Sequence, residues 1–246
     1  MKRHRGIITI ACILLALSGV LYYVHYLIFR DAHHIYLYLL GDIAFLPVEV
    51  FLVVMVLERA LTIREKNTML NKMNMVVGAF FSEMGTRLLE DLLHSHPDQA
   101  TIRAGMGIKA SWTTRDFKNA LDFVKRMKHE VRCQPKDLEA MKSFLVGKRP
   151  FMLGLLENPN LLEHERFTDL LWALFHLTEE LECRVSFDNL PPQDVAHLAG
   201  DIERVYSSLS SEWLDYVRHL KAQYPYLYSL VLRTHPFQER PSPIVK

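Results

Sequence analysis

The stretch IYLYLLGDIAFLPVEVFLVVMVL, residues 35–57, decides how the rest of the chain is read. Its only formal charges are Asp42 and Glu49, and at 1.5 Å per residue it is long enough to cross the ~30 Å hydrocarbon core of a bilayer. A second run of the same kind, IITIACILLALSGVLYYVHYLIF at 7–29, contains no Asp, Glu, Lys or Arg. Only RDAHH separates the two, which leaves room for a tight turn and nothing more. The spacing predicts an N-terminal two-helix transmembrane hairpin over 1–57.

Lys and Arg set its orientation. Lys2, Arg3 and Arg5 precede the first span, Arg59, Arg64, Lys66 and Lys72 follow the second, and the turn between has only Arg30. The positive-inside rule then predicts both termini on the cytoplasmic side of the inner (cytoplasmic) cell membrane. Tyr22, Tyr23, Tyr26, Tyr36 and Tyr38 cluster near the turn, as an interfacial aromatic belt does. Ala16-Leu17-Ser18 has the small-residue pattern of a signal-peptidase site, but the apolar run continues well past it, which predicts an uncleaved anchor. Cys12, Cys133 and Cys183 show no CxxC spacing and suit a reducing compartment.

The chain has 246 residues and a formal net charge of +1. A near-neutral balance gives no footing for nucleic-acid binding. No P-loop, GxGxxG after a strand, GxSxG or HExxH occurs, so no catalytic residue is assigned.

Inside the second span, Asp42 and Glu49 are seven residues apart, which on a helix returns to the same face within about 20° and about 10 Å along the axis. Pro47 lies between them and removes the donor to the Ile43 carbonyl, so a kink is expected. Tyr22 falls level with Asp42 across the hairpin, with His25 nearby, and either is a candidate partner for it. Glu49 lies deeper, where it is either neutral or matched across a subunit interface. Asp42, Glu49, Tyr22, His25 and Pro47 are thus the candidate intramembrane polar site, read first as interhelical glue and second as an ion-handling group.

After the second span a juxtamembrane helix is predicted over 58–96. Leu70, Met73, Val77, Phe80, Met84 and Leu88 make its apolar stripe. Beside it runs a stripe of small and amide residues, Asn71, Asn74, Gly78, Ser82 and Gly85, suited to close approach of another helix. Over 97–235 the pattern is a helical cytoplasmic domain. A loose stretch surrounds Gly105 and Gly107, and a capping box at Thr113/Asp116 opens a helix to about Val131. A short helix from Pro135 is expected to stop at Gly147, with one or two further turns in RPFMLGLLENPN. A helix from about Asn160 to Arg184 follows, then one from Pro191-Pro192 and a last one from Pro225. The Pro-rich end, 236–246, is expected to be disordered. No strand pattern occurs, and the fold class is all-α.

On the helix from Asn160, His176 with Glu179 and Glu180 sets a nitrogen and two carboxylates one turn apart, as metal sites do. The order His-x-x-Glu-Glu is read here as a single copy, on the polar face opposite the leucines, where charge is expected anyway. No metal and no cofactor are therefore assigned.

The segments LENPNLLEHERFTDLLWALFHLTEEL (156–181) and HLKAQYPYLYSLVLRTHPF (219–237), with the second span and NMVVGAFFSEMG, resemble a family of uncharacterised prokaryotic two-span membrane proteins with a cytoplasmic helical domain. That resemblance covers most of the chain and brings no catalytic residues with it. A two-span hairpin with acids in its second helix is also similar to cation channels of the mitochondrial calcium uniporter type, whose acids lie closer together than Asp42 and Glu49. The expectation is a membrane-anchored helical scaffold, assembly or signalling protein without intrinsic catalysis. It would self-associate as a homo-oligomer in the lipid bilayer and engage a cytoplasmic protein partner. A small proton- or cation-conducting oligomer using Asp42 and Glu49 is the alternative, and a helical metalloprotein the third reading.

Overall fold

The computed structural model describes residues 2–127, 134–159, 161 and 164–245, with side chains for all of these except 2–8 and 65–72. Cys133, Asn160 and Val131, the expected end of one helix, lie outside the described residues, as does the side chain of Asn71. Every regular element among the described residues is helical. The chain divides into two compact units, Met1–Lys66 and Asn67–Lys246.

The first unit holds α1 (Lys2–Phe29) and most of α2 (Ala32–Phe80). Arg30 reverses the chain with φ 50°, and the Asp31 carboxylate caps α2 by accepting from the amides of His33 at 2.9 Å and His34 at 3.3 Å. Thr9–Phe29 (21 residues) and Ala32–Arg64 (33 residues) are long and apolar enough to cross a membrane, and neither buries any of its apolar window. Pro47 sits inside α2, and the helix continues through it.

The second unit has its own core. The last turns of α2 lead into a π-helical turn, Phe81–Gly85, then α3 (Thr86–His94), α4 (Gln99–Met106), α5 (Thr114–Arg126), α6 (Pro135–Leu156), α7 (Glu165–Glu182), α8 (Pro192–Gln223) and α9 (Pro225–Thr234). α8 is central, packing on α3, α5, α7 and α9, while α6 covers α7. The cause is its periodicity: Leu198, Ile202, Val205, Leu209, Trp213, Val217 and Leu220 recur at three- and four-residue steps and are all buried. The expected leucine face of α7 is likewise fully buried, as are Met73, Val77, Phe80, Met84 and Leu88 of the juxtamembrane stripe. Burying one such side chain stabilises the fold by roughly 1.5–3 kcal/mol before chain entropy is counted.

Four local expectations change. Gly147 does not end its helix: α6 runs through both Gly147 and Pro150, because Leu138, Met141, Leu145, Met152 and Leu155 keep one face buried on either side of them. α4 forms where a loose stretch was expected, started by the Asp98 side chain accepting from the Thr101 amide. α7 begins at Glu165 rather than near Asn160, where the His164 side chain takes the Phe167 amide as a cap. The tail is not disordered from its start. His235 and Phe237 are buried, and Arg103 donates to the carbonyls of Pro236 (2.8 Å) and Gln238 (2.6 Å). The capping box at Thr113/Asp116 is present as read.

Candidate functional site

In the hairpin the expected polar site does not close. Among the described residues, Asp42 and Glu49 are exposed and neither makes a hydrogen bond or ion pair. Tyr22 is exposed and meets neither acid. His25 instead stacks toward Phe29 (4.7 Å) and His34 (5.7 Å), and His34 meets Tyr38 edge-on at 4.6 Å. The aromatic and imidazole rings thus cluster at the turn, while the acids, further along α2, find no partner among the described residues.

The small-residue stripe does allow close helix approach, but to a helix of the same chain. A Cβ on Gly78 would stand 3.2 Å from the Tyr216 hydroxyl of α8, and one on Gly85 would stand 2.7 Å from the rings of Phe80 and Phe81. Phe81 stacks on Tyr216 at 5.3 Å. Thr86 closes the π turn by donating its hydroxyl to the Phe81 carbonyl at 2.8 Å. Asn74 is half-buried and Ser82 exposed. Gly78 and Gly85 are therefore engaged by the domain's own packing.

Among the described residues, a group of ligating side chains lies between α7 and α8. His176 and Glu180, one turn apart on α7, face His197 and Asp201, one turn apart on α8. Both imidazole Nε2 atoms stand 3.4 Å from the same Asp201 oxygen, Oδ2, and His197 Nε2 stands 3.6 Å from Glu180 Oε2. Ligating atoms of His176, Glu180 and His197 all lie within 4.8 Å of one another. Asp201 is buried, its Oδ1 is held by Arg204 at 3.2 Å, and its Oδ2 has no hydrogen bond. Arg184 binds Glu180 at 2.8 Å and grips Asp194 through two bonds of 2.6 and 3.0 Å. The bond from Arg184, helped by the two histidines, holds the Glu180 carboxyl below its ordinary range. Glu179 turns away to Arg149 at 3.3 Å. Of the three sequence candidates, His176 and Glu180 converge and Glu179 does not. Sequence reasoning misses His197 and Asp201, although HLAGD (197–201) repeats the His-x₃-carboxylate spacing of HLTEE (176–180).

A second buried acid anchors the start of α7. Glu212, on α8, is 3% exposed and pairs with Arg166 at 2.8 Å, with His164 at 3.7 Å from its other oxygen. Arg166 also holds Asp215 at 2.6 Å. Burial pushes the Glu212 carboxyl up to about 7, which the Arg166 charge offsets in part. Burial also lowers the His164 and His235 imidazoles, the latter to about 4.

The elements define an all-α protein in which two apolar helices, long enough to cross a membrane, precede a helical domain. Family models described as the N-terminal helical domain of MJ1433 and as the C-terminal helical domain of uncharacterized protein MJ1433 match residues 2–61 and 69–233. The protein MJ1433 of Methanocaldococcus jannaschii is 42% identical over 240 residues, spanning 98% of this chain and 96% of that protein. The chain belongs to the MJ1433 family. No solved structure matches it.

Proposed function

We propose that the chain is a self-associating, membrane-anchored helical scaffold of the cytoplasmic membrane, with both termini inside. Its hairpin holds the helical domain at the membrane, where that domain engages a protein partner. One observation carries the reading: α2 exposes Asp42 and Glu49 with no partner among the described residues, on a helix whose apolar window is wholly uncovered. Each acid costs about 2.5–3.5 kcal/mol at mid-membrane on insertion scales, a cost the surrounding Leu, Val, Ile and Phe offset for insertion. Facing lipid as charged groups they would remain uncompensated, and a second copy of the hairpin supplies the missing partners.

Single cysteines placed at Ala32 and at Ser242 in a cysteine-free chain test the topology. The first is expected to react with an impermeant thiol reagent added outside intact cells, and the second only after lysis. Reaction of Ser242→Cys from outside overturns the orientation.

The same unpaired carboxylates favour a second reading, a proton- or cation-conducting oligomer, because rings of acids around an axis are how such pores select. Flux into liposomes that disappears in Asp42→Asn/Glu49→Gln, with the variant still folded, establishes conduction. No flux above empty liposomes in either protein removes it and leaves the acids as packing groups.

A further inference from the structure

We propose that His176, Glu180, His197 and Asp201 form a four-ligand site for a divalent transition ion of the zinc class, which fastens α7 to α8. This reading is independent of how the hairpin behaves in a membrane.

The distances are those an ion between the groups would need. Nitrogen-to-oxygen hydrogen bonds measure roughly 2.7–3.2 Å. The two Nε2–Oδ2 separations of 3.4 Å and the Nε2–Oε2 separation of 3.6 Å are longer than that. These three separations lie near the edge of a ligand tetrahedron, since metal bonds of about 2.0–2.1 Å give ligand-to-ligand edges of about 3.3–3.4 Å, while His176, Glu180 and His197 stand within 4.8 Å of one another, close enough for an ion to draw them in. Octahedral magnesium, with bonds of similar length, brings neighbouring ligands to about 3 Å and favours an all-oxygen shell.

Asp201 points the same way. It is 3% exposed, and Oδ2, the oxygen both imidazoles face, has no hydrogen bond. A buried carboxylate oxygen left without a donor is destabilising, and such atoms call for a partner. A dication on the shared side of the two rings satisfies it.

The surroundings are those of a metal site. Arg204 holds the other Asp201 oxygen, fixing the carboxylate so that Oδ2 faces the rings. Two carboxylates supply the charge that balances a divalent ion. Glu180 shares Oε2 with Arg184 and is the weakest of the four ligands. Because α7 and α8 contribute two ligands each, binding cross-links the two helices at the end opposite the Arg166–Glu212 pair.

The test uses the full-length protein in mild detergent, stripped with a chelator and titrated with cobalt(II), whose tetrahedral complexes absorb visible light far more strongly than octahedral ones. One cobalt per chain with the tetrahedral band, displaced by one equivalent of zinc, is expected. Arg204→Gln is expected to weaken cobalt binding by about 10- to 100-fold, and Asp201→Asn to abolish the band. Should Asp201→Asn fail to fold, His176→Gln/His197→Gln changes two half-exposed side chains and serves as the folded control. No tetrahedral band in the natural sequence, or a band of equal strength in the double histidine variant, overturns the site.

Discussion

At the residue scale, Glu212 makes the sharpest prediction. Its carboxyl rises from an ordinary 4.5 to about 7 on folding. Between those values the folded protein holds a proton that the unfolded chain releases, so this group's contribution to stability falls as pH rises, and the loss is complete above about pH 7. At about 1.4 kcal/mol per unit the loss reaches about 3 kcal/mol. Glu212→Gln, a neutral stand-in for the protonated form, is therefore expected to raise the melting temperature at pH 8 and to change little near pH 4.5. A variant less stable at pH 8 would mean that the 2.8 Å pair with Arg166 outweighs the burial of the charge. His235 has the opposite sign: held neutral down to about 4, it withdraws stability as pH falls below its ordinary 6.5. In Glu212→Gln that acid-side loss is expected to stand out more steeply, which melting curves from pH 4 to 8 will show.

The same scale shows what a linear reading of the chain misses. His176 and Glu180 are legible because a helix brings residues four apart onto one face. Their partners on α8 are not, because the contact depends on how two helices dock. The repeated HLxx-acid spacing at 176–180 and 197–201 is the available signal. Glu212 gives no signal at all: an acid on a long helix looks solvated until its neighbours are known.

At the element scale, glycine separates helix propensity from packing. Gly147 lies inside α6 with nothing within 4 Å of where a Cβ would sit, so Gly147→Ala is expected to stabilise the protein by about 0.5–1 kcal/mol. Gly85 ends the π turn with the buried rings of Phe80 and Phe81 only 2.7 Å from the corresponding position. Gly85→Ala is expected to cost about 1–3 kcal/mol through overpacking, more than the propensity gain returns. Chemical denaturation of the two variants side by side checks both signs. The same comparison explains why α6 outruns its expected end. Gly147 and Pro150 are breakers by propensity, yet the buried face runs on from Leu145 to Met152, and packing overrides local preference. The capped helix at Thr113, the leucine face of α7 and the starts of α8 and α9 are legible because their signals are local. The order at the start of the tail is not, because proline and charge in HPFQER hide the two aromatic rings that dock beside Trp213.

At the scale of the whole molecule, the division is the plainest message of the sequence: two long apolar runs, then a charged chain with helical periods. Both the family match and the helices agree with the all-α reading. What the small-residue stripe is for is not legible, since glycines that admit a neighbouring helix do not say which one. With Gly78 engaged by α8 and Gly85 by its own turn, the proposed self-association is argued from the hairpin and its acids.

The most direct measurement is therefore the number of chains per complex in a bilayer, counted by single-molecule photobleaching of the labelled full-length protein in lipid at low density. The account predicts stable dimers or larger assemblies that fall to monomers in Asp42→Leu/Glu49→Leu, with helical content unchanged. Monomers in the natural sequence, or assemblies equally populated in the double variant, would contradict it.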